Sequence, residues 1–132
     1  MFDPSALRTM LYTTTGRIAR ITLNRPDRGN GITLDLPQEL ARCVEQANLD
    51  PAIHVIALAG NGRGFCGGYD LVESAEGSAG MRPSEFVPGS PQDPEVFARN
   101  HDPAQTWDPM VDYQMMSRNL RGFMSLFHSD KP

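Results

Sequence analysis

"LAGNGRGFCGGYDL", residues 58–71, places five glycines between an apolar run and an acid, Asp70, that can open a helix. Glycine adopts backbone conformations closed to other residues, so such a loop can bring main-chain groups close to a ligand. Nucleotide phosphates are the first ligand to test. A P-loop needs lysine and a hydroxyl after G-x-x-x-x-G, the lysine to reach phosphate and the hydroxyl to hold magnesium. Gly62 to Gly67 has the spacing, but Gly68 and Tyr69 follow, which excludes it. Gly62, Gly64 and Gly67 also match G-x-G-x-x-G. That dinucleotide fingerprint requires a full crossover helix and a second strand ending in an acid about twenty residues on. Here Gly77 and a proline-rich stretch intervene. A third chemistry suits the residues better: backbone N–H groups aimed at a developing oxyanion, with the amide of Tyr69 projecting into a cleft and a helix start at Asp70 adding its positive dipole end. A plain glycine-rich turn between strand and helix accounts for the same residues.

Upstream, "IHVIALA" (53–59) is apolar except at His54, which predicts a strand covered on both faces. Residues 10–24, "MLYTTTGRIARITLN", predict a β-hairpin with Gly16 at the turn and Ala19, Ile21 and Leu23 facing the core. After the loop "RPDRGNG", Leu36, Leu40, Val44 and Ala47 recur at helical spacing from Asp35 to Asn48, with Asp35 or Thr33 as the cap and Pro37 in the first turn. Downstream, Asp70 and Glu73 have the spacing of a capping box. Residues 77–109 are rich in proline and glycine and read as a long loop or insertion. Asp108 and Pro109 then open a long helix whose stripe, Tyr113, Met116, Leu120, Phe123, Met124 and Phe127, predicts core packing. His54, His101 and His128 have no partners in sequence and read as structural.

The chain has 132 residues, the length of one domain, and a net charge of −4 with its basic residues scattered. That excludes the electrostatic footprint of a nucleic-acid or anionic-membrane binder. Cys43 and Cys66 have no C-x-x-C spacing, so neither a metal site nor a disulfide framework is expected. The expected location is the reducing cytoplasm, because no apolar run approaches the ~18 residues of a membrane span and no export signal opens the chain.

"ITLNRPDRGNGITLDLPQEL" followed by "HVIALAGNGRGFCGGYDL" resembles the N-terminal half of the crotonase, or enoyl-CoA hydratase/isomerase, superfamily. The resemblance is close over residues 10–75 and looser from Trp107 to Pro132. It implies an α/β fold, a crotonase-like spiral of ββα units of which residues 1–132 form the N-terminal part, and a C-terminal half that this chain does not hold. It implies an acyl-CoA substrate, with coenzyme A entering as part of it, no permanently bound cofactor and no metal. By position, the backbone N–H of Tyr69 is the first oxyanion donor. Cys66, Gly67, Gly68, Asp70 and Leu71 form the strip along which the coenzyme lies, and Arg28 meets its nucleotide end. Hydration of a 2-enoyl-CoA is the leading reaction, with double-bond isomerisation or non-catalytic acyl-CoA binding as alternatives. The family's catalytic carboxylates and second oxyanion glycine fall beyond "DKP", and its assembly is a homo-trimer or hexamer. Two departures from the family pattern stand out. Gly31 replaces a usual alanine, a benign change, while Tyr69 replaces a smaller residue and narrows or polarises the acyl pocket.

Overall fold

The computed structural model describes residues 1–71 and 84–132. β1 (Met10–Thr15) and β2 (Ile18–Leu23) form the expected hairpin, with Gly16 at φ 58° in its turn and Met10 paired to Leu23. Helix α1 (Asp35–Leu49) then returns the chain so that β3 (Val55–Gly60) lies parallel to β2, in the sheet order β1-β2-β3. A parallel neighbour requires such a crossover, and the 3.6-residue spacing of Leu36, Leu40 and Val44 supplies it. These side chains close with Met10, Ile21, Leu23 and Cys43 into one core on one face of the sheet. Ala19, Ala47 and Ile53 form a smaller cluster beside it.

Glu39 lies fully buried within α1 and is satisfied by three donors: the amides of Arg8 (2.8 Å) and Thr9 (2.9 Å), and the Thr9 hydroxyl (2.5 Å). A buried carboxylate without such partners would cost several kcal/mol, so Glu39 fixes where β1 begins relative to α1. The start of α1 differs from the expected cap. Leu34 occupies the cap position with no side-chain bond. Asp35 sits one residue inside, where it accepts from Arg8 Nη1 (2.8 Å) and from the amide (2.6 Å) and hydroxyl (3.0 Å) of Ser84. Those longer-range donors outcompete the local cap. At its other end, Lys131 Nζ donates to the carbonyls of Ala47 (2.7 Å) and Asp50 (2.6 Å), satisfying groups the helix leaves open.

β3 is only half covered, and Val55 is exposed. It is the outer strand of the described sheet, so α1 shields one face and the expected two-sided burial is not met. On its outer edge the Ile56 amide donates to the Pro132 carbonyl at 2.7 Å.

The region read as one long loop contains a helix, α2 (Pro94–Asn100), capped by Asp93, which accepts from Glu95 N at 2.9 Å. His101 is held more firmly than its sequence context suggested: Nδ1 bonds the Phe97 carbonyl at 2.9 Å and Nε2 lies 3.4 Å from Asp112. Helix α3 (Pro109–Met124) packs on α1, through a stripe that shares only Phe123 with the one expected. Tyr113, Met116, Leu120 and Phe127 are exposed. Asn119, Gly122, Phe123 and Leu126, which recur at i, i+3, i+4 and i+7, turn inward instead. Gly122 decides the choice, because a Cβ there would meet the Pro37 carbonyl oxygen at 2.5 Å. Only glycine lets the two helices approach this closely.

Candidate functional site

Two loops meet at the carboxyl ends of β2 and β3. Pro26 starts a 3-10 turn (Pro26–Arg28), and Asn30 follows in the left-handed region at φ 52°. Asn30 is buried, and its Nδ2 donates to the carbonyls of Asn61 (2.9 Å), Gly64 (3.2 Å) and Phe65 (3.0 Å), while its Oδ1 accepts from Arg25 N (2.8 Å). One side chain thus holds the glycine loop against the loop after β2. Asn tolerates this conformation better than most residues, and its amide has the donors and acceptor required. Sequence reading passed over Asn30, although an Asn between two glycines is a recognisable signal for such a position.

The strip expected to meet the coenzyme is continuous. Gly67 N donates to Gly29 O (2.9 Å) and the Cys66 thiol to Asn30 O (3.2 Å). Gly68 stands at φ 96°, a conformation that side chains rarely adopt. Ile32 and Tyr69 then pair as a parallel bridge, with Ile32 N donating to Gly68 O (2.8 Å) and Asp70 N to Ile32 O (3.1 Å). In that pattern the N–H of Tyr69 points away from Ile32. It has no acceptor among the described residues.

Arg28 is exposed at the rim, next to the Gly29 carbonyl that anchors Gly67, and so adjoins the strip. Asp70 is buried and its carboxylate is engaged by Arg25 Nη2 at 3.1 Å, while Arg25 Nη1 donates to Gly31 O at 3.0 Å. Arg25 is a second organiser that sequence reading missed. Leu71 is helical and exposed. Glu73, the expected capping-box partner, and the short helix it was to open lie outside the described residues. Gly31 proves less benign than its sequence suggested, since a Cβ there would lie 2.9 Å from Asp70 Cβ.

Beside the Tyr69 amide opens a mostly apolar pocket of about 320 Å3, walled by Ile32, Leu34, Leu71, Phe97, Met115 and Met116. Tyr69 lines it, with its hydroxyl 3.9 Å from Met116 Sδ. A roomier cleft of about 450 Å3, between the N-terminal segment and α1, is lined by Arg42, Glu45 and Glu85 among others and shares no residue with the glycine loop. Among the described residues no three His, Cys, Asp or Glu side chains converge on one point, and no helix is long and apolar enough to cross a membrane.

The enoyl-CoA hydratase/isomerase family model matches residues 13–87, more than half of the chain. The chain belongs to the enoyl-CoA hydratase/isomerase family, and its fold is the crotonase fold, of which it holds the N-terminal part. It is similar to a solved enoyl-CoA hydratase of Mycobacterium smegmatis, at 48% identity and a TM-score of 0.82, over 100% of this chain and 40% of that one. A probable enoyl-CoA hydratase of Mycobacterium tuberculosis is 36% identical over 64% of this chain and 30% of its own length. The 1,2-epoxyphenylacetyl-CoA isomerase of Escherichia coli is 43% identical over 41% of this chain and 21% of its own length. The chain therefore spans less than a third of the length of these two curated relatives.

Proposed function

We propose that this chain carries the coenzyme-binding and oxyanion-stabilising part of an enoyl-CoA hydratase. The observation that carries the reading is the Tyr69 N–H, fixed in direction by the Ile32 bridge, lacking an acceptor among the described residues and belonging to a residue that lines an apolar pocket. A thioester oxygen at that point would accept this hydrogen bond as charge develops on it. A donor of this kind is worth about 2.7–4 kcal/mol in the transition state. The strip Cys66–Leu71 lies along the pantetheine and adenine of the substrate, Arg28 meets the nucleotide phosphates, and the pocket takes the acyl chain. Coenzyme A arrives with the substrate, and no cofactor is permanently bound.

Two carboxylates from outside these residues add water across the double bond. The exposed stripe Tyr113, Leu120 and Phe127 is the surface on which the C-terminal part of the fold packs, and the assembled protein is a homo-trimer or hexamer working in the cytoplasm. Double-bond isomerisation is the second reading, favoured by the likeness to an isomerase over 41% of the chain. Both reactions use the same donor.

Calorimetric titration of the intact protein with butyryl-CoA tests the assignment. Saturable binding is expected. Gly68→Pro, which cannot hold φ 96°, should abolish binding while leaving helical content unchanged. Binding retained in Gly68→Pro would show that the loop is only a turn.

A further inference from the structure

Phe97 of α2 walls the pocket beside Tyr69, and at the end of the same helix its ring meets that of His101 at a centroid distance of 4.2 Å. Both nitrogens of this imidazole face oxygens that accept and do not donate, a backbone carbonyl and an ionised carboxylate. Nδ1 lies 2.9 Å from the Phe97 carbonyl, and Nε2 lies 3.4 Å from Asp112 Oδ1 on α3. Asp112 Oδ1 is buried and has no hydrogen bond, while Oδ2 accepts from Trp107 Nε1 at 2.8 Å. A neutral imidazole has one N–H, so in either tautomer a lone pair would face an oxygen. The imidazolium, with two, satisfies both contacts and sets a positive charge beside the buried carboxylate oxygen.

We propose that protonated His101 is a positioning residue for the acyl pocket: it ties α2 to α3 through Asp112 and holds the Phe97 wall in place, so that preference for longer acyl groups falls as the imidazole loses its proton; this rests on the acyl-CoA reading above. The same proton strengthens the contact of the imidazole with the Phe97 ring, because a cation is attracted to an aromatic face. The other charged groups nearby have their own partners or lie on the same segment. Arg99 and Asp102 flank His101 in the chain, and the Asp102 carboxylate accepts from Ala104 N at 2.9 Å. Asp108, at the α3 cap, accepts from Met110 N at 2.9 Å. Asp112 is therefore the acid that pairs with His101 among the described residues. A second tie between the helices does not depend on this proton: the buried Asn100 side chain donates to Asp108 O at 3.0 Å and accepts from Asp108 N at 2.8 Å. It holds the end of α2 in both protonation states, so loss of the proton loosens the face that carries Phe97 and His101 without separating the helices. With the His101 side chain 42% accessible, the ion pair acts by a few-fold and not by orders of magnitude.

The test is calorimetric binding of octanoyl-CoA and acetyl-CoA to the intact protein in steps from about pH 5.5 to about pH 8, which bracket the ~6.5 of a free imidazole. An acetyl group has no chain to lay against Phe97. The ratio of the two affinities thus isolates the wall and cancels the titration of the coenzyme's phosphates, which both ligands share. The octanoyl preference should fall roughly three- to five-fold from the low to the high end. His101→Gln should show the lower preference throughout. Asp112→Asn should keep the higher preference throughout, because its amide carbonyl still accepts from Trp107 while its NH2 donates to Nε2 of a neutral imidazole whose Nδ1–H keeps the Phe97 contact. Loss of the preference in both variants would mark the pair as merely structural and overturns the proposal. A wild-type ratio that does not change with pH, with both thioesters bound, also overturns it and leaves the acyl-CoA reading standing. So does a slope in Asp112→Asn equal to that of wild type, which would assign the titration to another group. If neither thioester binds at any pH, the acyl-CoA reading fails and this inference falls with it.

Discussion

Cys43 shows how one side chain reports on the core. Its thiol is fully buried 3.8 Å from Met10 Sδ, and burial, with the nearby Glu39 carboxylate adding to it, raises its pKa from 9.0 to about 12. The neutral thiol is the form that the fold favours. Below pH 9 both folded and unfolded chains hold the proton and this contribution to stability is complete; as pH rises from 9 toward 12 the unfolded chain ionises first and the contribution is lost. Tyr12, raised chiefly by burial, acts in the same direction. Denaturant unfolding of wild type and Cys43→Ala across this range separates the two, with an upper bound of about 4 kcal/mol for the thiol. Wild type should lose stability more steeply than the variant, and parallel curves would contradict the burial argument. Tyr69 makes the opposite point. Its side chain is half exposed, and its proposed role belongs to the backbone, where residue identity matters less than the conformation Gly68 permits.

At the scale of elements, the site depends on contacts between loops more than on any one loop. Asn30 carries the largest share, four hydrogen bonds from one buried amide side chain. Asn30→Ala leaves three carbonyls of the glycine loop and the Arg25 amide without that partner, and should cost roughly 3 kcal/mol in urea unfolding along with loss of acyl-CoA binding. Asn30→Asp keeps the tolerance for positive φ but sets a buried carboxylate oxygen against three carbonyl oxygens, so it should destabilise at least as much as Asn30→Ala. Equal stability of Asn30→Ala and wild type would show that the glycine loop holds its shape unaided. The helices teach a related lesson. Periodicity placed α3 correctly from Pro109, yet of the stripe it named only Phe123 packs on the core formed with α1. Large apolar residues lie on both sides of this helix, and hydrophobicity alone ranks Leu120 above Gly122. Close approach to Pro37 reverses that ranking, and it depends on a residue far away in sequence.

For the whole molecule, the parts legible in sequence were those set by local chemistry. The Gly16 turn, the alternation of Ala19, Ile21 and Leu23, and the α1 stripe all follow from neighbours within a few residues. Hidden from that reading were long-range polar ties: Glu39 to Thr9, Asp35 to Ser84, Arg25 to Asp70 and Lys131 to the end of α1. Each joins residues far apart in the chain, and no spacing rule reveals them. The glycine loop was legible from its spacing, but the pocket Tyr69 lines needed Ile32, Phe97 and Met116 brought together by the fold. Only the assembled structure shows that Tyr69 lines this pocket. The most direct measurement of the central claim is the infrared stretching frequency of a 13C-labelled thioester carbonyl in crotonyl-CoA bound to the intact protein. The account predicts a clear shift to lower frequency on binding to wild type, as the Tyr69 N–H polarises the bond. A bound thioester whose carbonyl frequency matches that in water would contradict it.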